Sequence, residues 1–393
     1  MTGGIWGLPG PRGYVEDIAR QVAAGQHVLA VLPRYVYDDP FSTDELVSEM
    51  LGRIDYSRRV RGWDAGTVVE VFGQGLVLGD ECPVTVPDLL RHPEGANRVL
   101  VCLVSDLASP LQANVPNFLR RLDAESRSVP VDQRCTLVLI TGREHLPHFA
   151  GGDNREVTLA TSWYWNRVSR WDVAAHVAEH VGGERAVLRE VRQETIIELA
   201  RWNFDLAVTL AASWSGDPQE LGGFCTDGEP PPDLLLPGHG TATLRPPESL
   251  LQAWDDSLAE CWHDRVCTAP IGLGVLERDT AQRHLWLGQA RVLLPWIEQH
   301  RAQVEAATRA ALGSARFEKA LSEYTRAQEH REEPGFAPEI GLLNVVVQAR
   351  LGRESYGLKT ASRALWRARN EMAHLRALGS SQLEELVRAC DHL

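Results

Sequence analysis

Three residues near the chain's end carry the most specific chemistry. Arg369 is followed directly by Asn370, and His374 comes five residues after the arginine, within Ala364-Leu-Trp-Arg-Ala-Arg-Asn-Glu-Met-Ala-His-Leu375. An imidazole titrates near neutral pH and can take or give a proton. A guanidinium offers a charge-assisted fork to an oxyanion as negative charge develops. A neighbouring amide can orient either group. On a helix, Leu365, Ala368, Met372 and Leu375 form one apolar stripe. Asn370 and His374 are i, i+4 neighbours on a face roughly opposite it. Arg369 is long enough to bend toward the same groove. From Arg350 to Arg376 the basic residues outnumber Glu354 and Glu371, against an acidic whole.

Other candidate sites are weaker. A phosphate loop needs glycines for close backbone approach and a lysine for the phosphates. The only lysines are Lys319 and Lys359, outside the first half. After the first apolar run comes Pro33-Arg-Tyr-Val-Tyr-Asp-Asp-Pro40, bulky and acidic. Gly7–Gly13 precedes that run, and Gly73–Gly79 is not followed by a helix opening, so both read as turns. Cys261, His263 and Cys267 lack a fourth ligand and clean zinc spacing, and read as core cysteines on an amphipathic helix. His145 and His148 read as surface residues of a post-strand loop, and His239 is given no role. No metal and no cofactor is expected.

The elements that must hold these residues fall into two textures. Residues 27–33, 67–72, 98–106, 135–141 and 156–160 are short, nearly continuous apolar runs with helical stretches between them, such as Val15–Ala24 and Asn114–Leu122. That alternation predicts a parallel sheet in an α/β domain over 1–190. Helices are expected at 172–181 and 184–213. Residues 191–246 then hold a helical extension and a Gly/Pro-rich linker, including Glu229-Pro-Pro-Pro232 and Leu236-Pro-Gly-His-Gly240. From 247 to 393 the pattern is helical. Leu250, Trp254, Leu258 and Trp262 recur every four residues. Further helices are expected at 281–312 (with a kink or break at Pro295), 314–331, 338–350, 359–378 and 381–392. Pro334-Gly335 separates two of them, and Ser381 with Glu384 marks a capping box. The fold class is therefore α/β plus all-α, a parallel-sheet domain followed by a helical bundle.

Composition bounds the class. The chain has 393 residues, 44% hydrophobic and 24% charged, which excludes a mainly disordered or collagen-like chain. No apolar run approaches the roughly 20 residues of a membrane span. The opening residues lack a basic region followed by an apolar core, so a cytoplasmic location is expected. Seven irregularly spaced cysteines argue against a disulfide framework. The net charge of −13 disfavours indiscriminate nucleic-acid coating, but leaves room for a local basic site. Arginine stands almost everywhere in place of lysine. This reads as genomic base composition, so no arginine is by itself a phosphate ligand.

The segment around Arg369, Asn370 and His374 resembles the HEPN superfamily of helical domains, whose hallmark is Arg-x(4–6)-His with a polar residue straight after the arginine. It looks especially like the HEPN domains of bacterial conflict and defence proteins. The close match covers about 15 residues. The resemblance implies a metal-independent endoribonuclease acting as a homodimer, with two motifs meeting across the interface. The substrate would be RNA, and the setting antiviral defence or a toxin system with partner defence proteins. A HEPN-like module kept as a non-catalytic adaptor or dimerisation scaffold is the alternative. The first half resembles an AAA or STAND-type NTPase core that has lost its phosphate loop. There Arg98–Asp106 ends in an aspartate, as a magnesium-holding strand would, and Cys135–Thr141 ends in a polar residue, as a sensor strand would. ATP hydrolysis is not expected. A regulatory or sensing role is.

Overall fold

The computed structural model describes residues 4–62, 65–76, 82–146, 159–182, 185–224, 243–270, 278–326, 337–391 and 393. The chain divides into two units, Met1–Asp172 with Pro231–Thr268, and Val173–Pro230 with Ala269–Leu393. In chain order the helices are α1 (Pro9–Ala23), α2 (Arg34–Tyr37), α3 (Pro40–Arg53), α4 (Val68–Leu76), α5 (Val86–Leu90), α6 (Ser109–Ser126), α7 (Arg170–Ala178), α8 (Ala186–Ala200), α9 (Phe204–Ser213), α10 (Leu251–Asp255), α11 (Arg278–Leu312), α12 (Ser314–Arg326), α13 (Ile340–Arg350), α14 (Tyr356–Ala373) and α15 (Ser380–Cys390). The strands are β1 (His27–Val31), β2 (Ser57–Gly62), β3 (Val99–Leu107), β4 (Thr136–Thr141), β5 (Leu159–Trp163), β6 (Ala259–Trp262) and β7 (Arg265–Thr268). The architecture is α/β plus all-α, as the two textures imply.

In the first unit a five-stranded sheet runs in the order β2-β3-β4-β1-β5, with parallel pairing throughout. β1 and β4 are buried along their whole length, which is why their sequences are unbroken apolar runs. α1 packs with α3, and α4, α5 and α6 pack among themselves. One buried polar network pins the sheet's N-terminal end. His27 Nδ1 accepts the Leu137 N–H at 3.0 Å, and Nε2 meets Ser126 Oγ at 2.9 Å. Burial holds this imidazole down at about 3, so it stays neutral. Arg134, also buried, donates to the carbonyls of Gly25, Ser126 and Val129. Gly25 sits at φ +77°, where a Cβ would come within 2.0 Å of Val131, so glycine is required.

The first unit departs from the sequence reading in several places. Residues 68–76 form a helix, not a strand. Val68, Val71, Phe72, Gly75 and Leu76 are buried at helical spacing, and that packing overrides the β-branched composition. The edge strand β2 was not expected, because Ser-Arg-Arg-Val-Arg-Gly buries only Val60 and Gly62. Residues 259–268 are a β-hairpin, not a helix. α10 ends at Asp255, Ser257 adopts φ +59°, and His263 and Asp264 both take positive φ in the two-residue turn. Cys261 and Cys267 thus lie on hairpin strands, and residues 247–268 cluster with the first unit. Of the last strand, the part described is Leu159–Trp163.

The second unit is helical. α8 packs along α11, and α14 packs against α11, α13 and α15. Leu293, Ile297, Phe317, Leu343, Val347, Leu365 and Met372 belong to its core. α8 and α9 are separate helices. Arg201 takes φ +50°, and Asn203 caps α9 by accepting the Leu206 N–H at 2.9 Å. α11 runs continuously through Pro295. α15 begins at Ser380, not at a Ser381 cap. Gln382 Oε1 accepts the Gly379 N–H at 2.8 Å, so Glu384 is not the reciprocal partner. Residues 229–240 and 334–335, along with His148 and His239, lie outside the described residues.

Candidate functional site

α14 presents one buried stripe, Ala361, Leu365, Ala368 and Met372. The apolar pattern stops there. Leu375, expected on the same stripe, is 62% exposed. The helix has already ended, and His374 is its C-cap. The Leu375 N–H bonds to the Met372 carbonyl at 3.1 Å and the Arg376 N–H to the Glu371 carbonyl at 3.0 Å. This is a Schellman ending, with a leucine at φ +57° where glycine is usual. The sequence concealed this end because no glycine marks it. His374 therefore sits on a turn, not within a helix.

That turn is fixed by α11. Trp286 Nε1 donates to the Met372 carbonyl at 2.7 Å. Gln289 accepts the Leu378 N–H at 2.7 Å and donates to the Leu378 carbonyl at 2.8 Å. His374 is exposed, and Arg369 and Asn370 are half-buried. Arg369 leans toward Glu339, the residue before α13, at 3.9 Å. Among the described residues, no hydrogen bond joins the side chains of Arg369, Asn370 and His374. The sequence did not single out Trp366, which precedes Asn370 and His374 in the same four-residue row. It is 37% exposed and lies over Gly341. The readable signal was its register, since 366, 370 and 374 avoid the 361, 365, 368, 372 stripe.

The other place to look is the C-terminal rim of the sheet. β1 and β4 are neighbours, yet β1 leads to the far edge and β4 leads across β1 to β5. Open α/β sheets hold ligands at such a switch point. Here the rim's charges answer one another. Arg143, after β4, pairs with the buried Asp255 of α10 and bonds Gln252. Arg34, after β1, lies 3.5 Å from Asp256. Burial pushes the Asp255 carboxyl up to about 6, and Arg143 pulls against that rise. Asp106, the expected magnesium-type aspartate of β3, receives Arg59 Nε and Nη2 at 3.0 and 2.8 Å. A guanidinium of the adjacent strand thus occupies the place of a cation. Thr141 Oγ1 bonds its own neighbour's carbonyl, that of Gly142, at 2.9 Å.

A fully buried carboxylate, Glu260, accepts N–H bonds from Asn166, Cys261 and the Trp254 indole, each at 2.9 Å. Burial pushes it up to about 8 against those donors. Its partners tie the hairpin to the residues after β5, so its role is structural. Among the described residues, no cluster of three His, Cys, Asp or Glu side chains is arranged to hold a metal ion. His145 stands 3.4 Å from Glu144. No helix of the described residues is long and apolar enough to cross a membrane. No protein-family model, no curated protein and no solved structure matches the chain.

Proposed function

We propose that the second unit is a HEPN-type, metal-independent endoribonuclease, or RNA-targeting effector, of a bacterial antiviral defence or toxin system. The first unit, resembling a degenerate NTPase core, regulates it. The observation that carries the reading is the open end of α14. His374 is exposed on a braced turn, with Asn370 and Arg369 on the last helical turn before it. These are the groups that transesterification of RNA requires. The 2′-oxygen attacks the adjacent phosphorus, losing its proton to an imidazole. The 5′-oxygen leaves and takes a proton from a second imidazole, and a 2′,3′-cyclic phosphate remains. Arg369 holds the non-bridging oxygens as charge develops, and Asn370 orients His374 or the phosphate. One chain supplies one such histidine, so a two-fold homodimer provides both the base and the acid. Trp366, one row back, offers a ring face on which a base can stack.

The first unit's rim supports regulation without ATP hydrolysis. Asp106 is neutralised by Arg59, and the rim arginines are paired by α10. A cytoplasmic location and partner defence proteins belong to the same proposal.

One observation favours a second reading, a non-catalytic adaptor or dimerisation module. Arg369 leans toward Glu339 and shares no hydrogen bond with His374. Expression of wild type beside Arg369→Ala and His374→Ala decides between the two. Toxicity or RNA degradation in wild type, lost in both variants while folding is kept, is expected. Equal behaviour of all three ends the catalytic proposal.

A further inference from the structure

A cleft of about 430 Å³ opens in the second unit between α8, the turn after α9 and the start of α15. That volume is in the range of small-molecule sites. Its charge is concentrated and one-sided. Arg185, the N-cap of α8, and Arg189 and Arg192 on its first two turns recur at i, i+4 and i+7, and Arg388 of α15 faces the same space. Three cations in a row repel one another, and at a helix N-terminus they also oppose the macrodipole. Such an arrangement costs stability unless an anion answers it.

The carboxylates that line or border the cleft do so only in part. Arg185 is paired with Asp391 at 2.7 Å. Glu384 reaches Arg388 at 3.7 Å, both on the exposed face of α15. Arg192 donates to the carbonyls of Ala211 and Trp214, yet its Nε is buried with no hydrogen-bond partner. Arg189 has no ion pair among the described residues. Across the cleft, Ser380 Oγ is likewise buried without a partner. It sits at the first residue of α15, where the opening N–H groups have no intrahelical acceptor. Gly216, at φ +92°, lets the facing backbone approach that hydroxyl, and a Cβ there would meet Ser380 Oγ at 3.3 Å. The remaining wall mixes apolar side chains, Leu188, Val191 and Leu383, with the polar Thr195, Ser215 and Gln289.

We propose that this cleft binds a small phosphomonoester with a flat apolar body, of the nucleoside monophosphate class. The phosphate lies among Arg189, Arg192, Arg388 and Ser380, and the ring lies against Leu188, Val191 and Leu383. The site is separate from the His374 surface and does not depend on the ribonuclease reading, because binding is measured without RNA turnover.

Titration calorimetry of the full chain with AMP, adenosine and inorganic phosphate tests it, beside Arg189→Glu and Arg388→Glu. Both substituted positions are exposed, so the fold is retained, and circular dichroism checks this. AMP binding at least tenfold tighter than either adenosine or phosphate is expected, weakened at least tenfold in each variant. No binding of AMP at millimolar concentration overturns the proposal. So does adenosine binding as tightly as AMP, or an affinity that neither charge reversal changes.

Discussion

The sheet rim of the first unit and the α14 end of the second carry similar residue types, arginine beside polar and titratable groups, with opposite fates. At the rim, Arg59, Arg143 and Arg34 each face a carboxylate of their own unit. At the α14 end, Arg369 touches a carboxylate only at 3.9 Å and His374 is exposed. Charges that satisfy one another hold a fold together. Charges left open to solvent are available to a substrate. Substitutions should therefore cost stability at the rim and activity at α14.

The largest stability effect is expected inside the first unit. Glu260→Ala orphans three buried N–H groups and should destabilise by about 3 kcal/mol, measured by urea denaturation. Glu260→Gln, which keeps an acceptor, should cost clearly less. Next comes the rim. Arg59→Ala strips a mostly buried Asp106 of its two N–H donors and should cost about 2 kcal/mol. ATP with magnesium should not raise the wild-type melting temperature, and a rise of several degrees would reopen the nucleotide question.

His27 sharpens the contrast through pH. Its folded value lies near 3, below the ordinary 6.5, so the unfolded chain binds the proton first. The stability it contributes is complete above about 6.5 and is lost as pH falls toward 3, with a slope of about 1.4 kcal/mol per pH unit for one proton. His27→Gln should flatten that part of the stability profile. An unchanged slope would show that the imidazole is protonated in the fold.

At the α14 end, Arg369→Ala and His374→Ala should each stay within about 0.5 kcal/mol of wild type. The one expected change in the other direction is a gain. Leu375→Gly removes a side chain from a left-handed position and should stabilise by up to about 1 kcal/mol. A loss there would mean that the Schellman ending does not form.

The legibility of the sequence followed burial. β1, β3 and β4 were readable because both faces are covered and the runs are unbroken. β2 was hidden because an edge strand can carry Arg58, Arg59 and Arg61. Residues 67–72 read as a strand by composition, although the burial spacing from Val68 on is helical. The hairpin at 259–268 was masked by a four-residue spacing of leucine and tryptophan, Leu250 to Trp262, that continues past the true end of α10. At the candidate site, the identities of Arg369, Asn370 and His374 were readable, but the helix end between them was not, since Leu375 stands where glycine would have announced it. The arginine row on α8 went unread because arginine is common everywhere in this chain. It acquires meaning only from the unpartnered atoms across the cleft.

The most direct test is RNA cleavage by purified full-length protein in excess EDTA, wild type beside His374→Ala. Wild-type cleavage leaving 2′,3′-cyclic phosphate ends, absent from the variant at equal stability, is the expected result. Cleavage that is equal in the two proteins, or that requires a divalent ion, would contradict a metal-independent role for His374.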